Sequence, residues 1–303
     1  MSISLNRRRF ALGTAGLGLS ALLPMPAFAQ ETRSVTTVYG TYDIPADPKR
    51  VVAIDSRLDL QPALALGLPV IGYGHSVPGK WVPVPEGLEF YGSEVNIEQV
   101  LAGDPDLVIC ADYDPDSPWW PSNKLRTVVP VVPTDTEHSW KQALQELATV
   151  LGLDGAADKA IGEYDALVAE IKARHGDKLS TKTVVSIQPG EGVLYLMNGP
   201  KMLVPQVLAD LGVKTVLPAE GQDYNSDEIA AEAFANVLGD VDGALVVTGL
   251  DELNVLDGDA IWSRLPFVQA GATVASNGNI NYGSIYSAIY VAKLVDALYS
   301  KIA

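Results

Sequence analysis

Seven aromatic side chains carry the first chemical hint in this chain. Trp81 follows the apolar run Val70–Tyr73. Tyr113, Trp119 and Trp120 follow Leu107–Ile109. Tyr195 lies close to Asn198-Gly199-Pro200, where a hairpin turn is expected. Tyr224 precedes the segment 229–238, and Tyr282 precedes the last helical pattern. Each is placed beside the end of an expected strand or the start of an expected helix. Ligands of open α/β sheets bind beyond the carboxyl ends of the strands. Rigid rings there give large contact area at low entropic cost. Such a set suits a bulky, partly apolar ligand better than a sugar or an amino acid. Arg57, just past Val51–Ile54, adds a planar cation at the same level of the fold. It can hold a carboxylate or chelate oxygen, or pair locally with Asp55 or Asp59. The alternative for every ring is packing against its own loop.

Bond-making chemistry finds less support. The chain has no G-x-S-x-G, no G-x-x-x-x-G-K-[ST] and no H-E-x-x-H. Gly72-Tyr73-Gly74 follows a strand but lacks the rest of a dinucleotide loop. The histidines number three, His75, His138 and His175. They are too dispersed for the tight His/Asp/Glu set of a protein that holds a bare metal ion. His75 is expected on a solvent-exposed loop, although it could face a cleft. His175 ends a long helix, where a cation is favoured. Cys110 is the single cysteine, so no internal disulfide can form, and its apolar surroundings mark a small buried thiol.

The elements that position these residues alternate between strand and helix. Val51–Ile54, Val70–Tyr73, Leu107–Ile109, Val128–Val132, Thr183–Ile187 and Ala244–Thr248 read as buried parallel strands. Leu58–Leu66, 96–102, Ser139–Leu151, 229–238 and Ser284–Tyr299 read as helices. Ile161, Tyr164, Leu167, Val168 and Ile171 mark a long helix from about 155 to 175, capped by Asp154 and stopped by Gly176. The halves echo one another at an offset of roughly 135–145 residues, too long for a solenoid repeat. Val51–Ile54 answers Thr183–Ile187, and the Glu98 helix answers the Glu232 helix. The expected fold class is therefore α/β: two similar lobes with parallel central sheets, joined by one long helix, with a ligand cleft between them. The boundaries fall at 30–152, 153–178 for the linking helix, and 179–303.

The amino terminus is a targeting segment. Arg7 and Arg8 form a twin-arginine pair, a glycine-diluted apolar stretch follows, and Ala27-Phe28-Ala29 fits a cleavage site. Residues 1–29 thus read as a removable export signal. The apolar run is too short and too glycine-rich to span a membrane, and no lipobox cysteine offers a lipid anchor. The net charge is −16, and the signal carries three Arg and no acid, so the exported chain is more acidic still. Nonspecific nucleic-acid binding is excluded by that charge. The acidity favours solubility and docking to a basic surface.

The run Asn96-Ile97-Glu98-Gln99-Val100-Leu101-Ala102-Gly103-Asp104-Pro105-Asp106-Leu107-Val108-Ile109 resembles a signature of the periplasmic solute-binding proteins that carry ferric siderophores and cobalamin to ABC importers. So does the opening Pro48-Lys49-Arg50-Val51-Val52. The closing order, Trp262 to Gly271, then Asn281-Tyr282-Gly283, then a helix, is similar to the ferric-hydroxamate binders in particular. This resemblance implies a monomeric periplasmic binder without enzymatic activity, cofactor or protein-held metal. Its cargo would be a ferric siderophore and its partner an inner-membrane ABC permease. Glu98 and Glu232 would be the docking acids, one per lobe. Trp81, Tyr113, Tyr224 and Tyr282 match aromatic ligand contacts of the hydroxamate binders. One departure stands out: those binders carry an Arg shortly before the Asn-x-Glu element, and Tyr91–Val95 has none. Arg57 or another basic group would then substitute, or the ligand is of another class. Haem or cobalamin binding on the same fold is the alternative, followed by an exported enzyme.

Overall fold

The computed structural model describes residues 31–216, 227–252 and 255–303; residues 1–29, expected to be an export signal, and Tyr224 lie outside them. A hairpin, β1 (Thr32–Thr37) and β2 (Gly40–Pro45), leads into β3 (Val51–Asp55), α1 (Leu60–Ala65), β4 (Val70–Gly74) and the short β5 (Glu89–Phe90). Then come α2 (Ile97–Ala102), β6 (Leu107–Ala111), α3 (Ser122–Leu125), β7 (Val131–Thr134) and α4 (Trp140–Leu151). The long α5 (Asp154–His175) and the single turn α6 (Lys178–Thr181) follow. The second half contains β8 (Thr183–Pro189), β9 (Val193–Leu196), α7 (Leu203–Leu211), β10 (Lys214–Thr215) and β11 (Asp227–Ala230). It closes with α8 (Phe234–Leu238), β12 (Gly243–Val246), α9 (Pro266–Gln269), β13 (Thr273–Ala275) and α10 (Ile285–Lys301).

The first sheet has the order β5-β4-β3-β6-β7, with every pair parallel. From β3 the chain steps outward to β4 and β5, then returns to β6 on the other side. The strand order reverses between β3 and β6, and a crevice opens beyond the ends of such strands. All five residues of β3 and of β6 are buried, which explains their unbroken apolar character. The second sheet runs β11-β9-β8-β12-β13, with β10 beside the start of β8. β8, β12, β13 and β10 are parallel, as expected. The hairpin partner β9 and its neighbour β11 are antiparallel additions.

That hairpin moves two sequence expectations. Its turn lies at Gly190–Gly192, so Tyr195 sits within β9 and not at a turn beside Asn198. The segment 229–238 is not one helix. Asp227–Ala230 pairs with β9, Ala231–Ala233 is a 3-10 turn, and only Phe234–Leu238 is α-helical. Edge pairing overrides the helical spacing of an alanine-rich segment. Asp154 also differs from its expected role. It opens α5 from within the first turn and accepts hydrogen bonds from Thr149 and Gln145 without capping the helix.

α5 buries Ala157, Tyr164, Val168 and Ile171. It packs on α4 from the first half and on α7 and α10 from the second. Hydrogen bonds at two helix starts also join the halves. The first turn of a helix leaves backbone N–H groups without intrahelical partners. At α10, where Ser284 makes no capping bond through its side chain, Gln61 of α1 supplies the acceptor. Its Oε1 takes Ser287 N–H at 2.9 Å and Ser284 N–H at 3.3 Å, and its Nε2 donates to Ser287 Oγ at 2.8 Å. At α4 the relation is reversed: Trp140 N–H donates to Gln206 Oε1 of α7 at 2.9 Å. Each lobe therefore caps a helix of the other.

Trp81 belongs to the same junction. Its ring stacks on Tyr290 at 4.0 Å with 6° between planes, and its N–H donates to Ser287 Oγ at 3.0 Å. Gly79 lies flat against the ring, where a Cβ would come within 2.3 Å. Replacing Gln61 by Leu leaves two buried N–H donors unmatched. The expected loss is about 2–4 kcal/mol, read as a lower urea midpoint with an unchanged slope.

Candidate functional site

A cavity of about 270 Å³ lies between the two helix starts that the lobes cap reciprocally. The first lobe contributes Arg57 and Leu58 after β3, Tyr113 and Trp120 after β6, Thr134 at the end of β7, and Asp135, Thr136 and His138 after it. The second contributes Lys201, Leu203 and Gln206 around the start of α7, and Tyr282–Ser284 before α10. Trp140, Ala143 and Leu144 of α4 complete the lining. The walls thus come from strand-end loops of both lobes, with the reversal point of the first sheet at one side.

Arg57 is held from behind. Its Nε donates to Asp55 Oδ1 at 3.2 Å and its Nη2 to Asp55 Oδ2 at 3.0 Å. Nη2 also meets His75 Nε2 at 2.5 Å, and the guanidinium lies 5.4 Å from the Tyr282 ring centroid. Nη1 makes no hydrogen bond among the described residues. The two alternatives for Arg57, local pairing and a cleft position, thus occur together. Asp55 is fully buried, and burial alone would raise its pKa. The charge and hydrogen bonds of Arg57, helped by His75, outweigh that and hold it below the usual carboxylate range.

His75 departs from the solvent-exposed position expected of it. It follows β4 directly with a φ of 67°, a left-handed conformation uncommon outside glycine. Its ring stacks on Trp120 at 4.9 Å, and its Nε2 is 3.8 Å from Asp55. Burial is the main cause of its lowered pKa. With Arg57 donating to Nε2, the neutral ring carries its proton on Nδ1, which is buried and unpartnered. The Trp120 indole N–H donates to Asp55 Oδ2 at 3.1 Å.

The other expected residues divide clearly. Tyr113, 59% exposed, stands 5.1 Å from Trp120 at the cavity rim. Trp119, 42% exposed, meets Trp120 edge-on at 6.4 Å but does not line the cavity. Trp81 is taken up by the lobe junction, and Tyr195 packs against the core from β9. Glu98 is exposed in the first turn of α2, below the Asn96 cap, and Glu232 is exposed in the 3-10 turn before α8.

Lys201, Asp135, His138 and Trp140 are cavity residues that the sequence did not single out. Lys201 bridges the lobes through Glu137 at 2.6 Å. Asp135, His138 and Glu146 bring donor atoms within 4.8 Å of one another. They are the one group among the described residues whose donor atoms gather closely enough for a metal. Their grouping is already explained by ion pairs, His138 Nδ1 to Asp135 at 3.2 Å and to Glu146 at 3.5 Å. His175 pairs with Asp296 at 2.7 Å, far along the fold at the end of α5.

Residues 90–275 match the periplasmic binding protein family. The chain belongs to that family. Its members bind solutes and are not enzymes, and no helix among the described residues is long and apolar enough to cross a membrane. The iron-uptake system-binding protein of Bacillus subtilis is 23% identical over 212 residues, 67% of this chain. The match takes in 66% of that protein, just under two thirds of its length. The iron(3+)-hydroxamate-binding protein FhuD of Escherichia coli is 25% identical over 82% of this chain and 86% of its own. The crystal structure of Vibrio cholerae FhuD with Fe3+–Desferal bound superposes with a TM-score of 0.69 at 21% identity. That superposition covers 84% of this chain and 99% of the other, so the two-lobed fold is shared.

Asp59, which precedes α1, is the second fully buried carboxylate behind Arg57. Burial, reinforced by the Asp55 charge, pushes its pKa up to about 7 from 3.8. A folded-state pKa above the unfolded value means that folding holds a proton through this window. The contribution is full below about pH 4 and is lost as pH rises through 7. Asp59→Asn, which cannot ionise, should therefore gain on the wild type as pH rises. Thermal unfolding should show roughly 4–10 °C of relative gain at pH 8 and far less at pH 4.

Proposed function

We propose that this family member is the substrate-binding component of an ABC importer, that it captures a ferric siderophore between its lobes, and that it passes the chelate to an inner-membrane permease. The observation that carries this reading is the convergence of rings and cations from both lobes on one cavity: Arg57, Tyr113 and Trp120 facing Lys201 and Tyr282. Iron is cargo here, wrapped in its chelator. The names of the relatives, an iron-uptake binding protein and two siderophore binders, support the same class of ligand.

The binding set of this proposal is Arg57, Tyr113, Trp120 and Tyr282, with Trp119 at the rim and Tyr224 retained from the sequence. Trp81 and Tyr195 are left to packing. Ligand pockets commonly enclose about 300–1,000 Å³, so a cavity of about 270 Å³ lies below the usual range. A bulky chelate would seat its oxygens against Arg57 and leave its outer part against the exposed rings of Tyr113 and Trp119. Arg57 thereby takes the part of the arginine missing from Tyr91–Val95. Glu98 and Glu232 remain the proposed docking acids. Export by residues 1–29, a free monomer in the periplasm, and lobes at 30–152 and 179–303 around a linking helix at 153–178 complete the reading.

Trp120 and Trp140 line the cavity, so ligand entry should quench intrinsic fluorescence. The exported chain is titrated with ferric hydroxamate, catecholate and citrate chelates, haem and cobalamin. Saturable quenching at submicromolar concentration by one ferric chelate, and not by its iron-free form, is expected. Silence across the panel removes the siderophore reading. Reversing the charge of both Glu98 and Glu232 should abolish uptake in cells while chelate affinity stays within about twofold. A variant that loses ligand binding would assign these acids a different role.

A further inference from the structure

Behind the cavity wall lie two carboxylates that a ligand cannot touch. Asp55 is the hub. Its Oδ1 accepts the backbone N–H groups of Arg57 at 2.7 Å and Leu58 at 3.2 Å, together with Arg57 Nε. Its Oδ2 accepts Arg57 Nη2 and the Trp120 indole N–H. All five donors belong to residues that line the cavity. One buried carboxylate therefore fixes the plane of the guanidinium and the plane of the indole at once. Asp59 lies directly beneath: its Oδ2 accepts Asp55 N–H at 2.7 Å and Ala111 N–H at 3.0 Å. Its Oδ1 is buried without a partner.

The groups facing this pair come from every neighbouring strand end. They are Arg57 after β3, His75 just after β4, Cys110 in β6, and the Thr134 hydroxyl ending β7. Burial, with the nearby carboxylates, keeps the Cys110 thiol protonated, and burial favours neutral His75. Asp55 stays ionised beside Arg57. Asp59 is left as the group whose proton comes and goes near neutrality.

We propose that Asp55 and Asp59 are the positioning pair of the ligand cavity: Asp55 aims the guanidinium and the indole, and Asp59 sets the charge behind them by taking up or releasing a proton. This rests on the ligand reading of the cavity given above. With Asp59 protonated, the Asp55–Arg57 pair is neutral and Arg57 Nη1 is available to an anionic ligand oxygen. With Asp59 ionised, a second negative charge stands behind the guanidinium and weakens that hold. An anionic ligand and a proton then bind together, and affinity falls as pH rises through 7.

The decisive test needs no ligand. Trp120 emission is obtained by difference from Trp120→Phe and followed from pH 5 to 9. It should titrate between about pH 6 and 8 in the wild type and become flat in Asp59→Asn. Asp55→Asn should shift it at every pH; if that variant does not fold, the other two variants still decide. Trp120 emission without a titration, or a titration that survives in Asp59→Asn, overturns the pair. In the second arm the probes are negatively charged ferric citrate and positively charged ferric desferrioxamine B. Between pH 6 and 8, citrate affinity should fall roughly three- to tenfold, and that of desferrioxamine should not fall. An equal fall for both overturns the charge mechanism. Binding of neither chelate counts against the ligand reading, while the emission titration still judges the pair.

Discussion

The reciprocal capping of α4 and α10 is the constraint on which the site depends. A helix that begins against another part of the fold needs acceptors for its first N–H groups. Gln61 provides them for α10 and Gln206 for α4, each from the opposite lobe. The cavity lies between these two helix starts, so its width is set by the same hydrogen bonds that join the lobes. Opening the cleft widely would strip several buried donors of their partners at about 1–3 kcal/mol each. It would also unstack Trp81 from Tyr290 and pull α5 from helices on both sides. On the proposed reading, ligand capture would proceed by small adjustment around this cavity, past the exposed ring of Tyr113 at its rim. The exposed ion pairs between the halves, Lys201–Glu137 and Lys80–Asp251, can yield at little cost.

Within that frame, the chemistry of the wall follows from burial. A guanidinium facing a small, ring-lined cavity needs a counter-charge, and Asp55 supplies it from a position with no solvent contact. The planar fork of arginine allows this division. Nε and Nη2 bind the carboxylate and the imidazole, and the third nitrogen makes no hydrogen bond among the described residues. Lysine, with a point charge, could not be anchored and offered in the same way. The indole of Trp120 is fixed by the same carboxylate on one side and by stacking on His75 on the other. The cavity wall is thus preorganised by residues that do not form it, which would lower the entropic cost of seating a ligand.

The sequence carried the skeleton because burial leaves a local mark. β3, β6, β8 and β12 are apolar runs between breakers, and each occupies the centre of its sheet or the place beside the centre. The helical spacing of α5 and the Ser139 start of α4 were equally plain. Arg57, Tyr113, Trp120 and Tyr282 could be gathered by one rule, that strand-end loops face the cleft. What escaped notice was long-range or competitive. Trp81 looks like its neighbours, but its partner Ser287 is 206 residues away. His75 seemed exposed because no local pattern reports the closeness of Trp120 or Asp55. Residues 229–238 have helical spacing, and only their pairing with β9 turns the first of them into a strand. In the sequence, Asp55 and Asp59 are equivalent alternatives for one salt bridge to Arg57. Their burial behind the cavity is a product of the β3–β6 reversal, which a sequence does not print.

The electrostatics of the cleft differ from those of the whole molecule, and the difference bears on selectivity. The chain carries a net charge of −16, yet its cavity holds Arg57 and Lys201. Both cations are paired, with Asp55 and Glu137, so neither makes the cavity strongly positive. They act as directed hydrogen-bond donors more than as attractors of charge. An anionic chelate approaching this protein is repelled at long range, and the repulsion is screened within about 8–10 Å at physiological salt. Binding must then be won at contact, through ring area and oriented donors. A site of that kind discriminates by the shape of a chelate and the direction of its oxygens. Overall charge enters through the protonation of the acid behind the wall. The cavity thus need not share the sign of the acidic exterior.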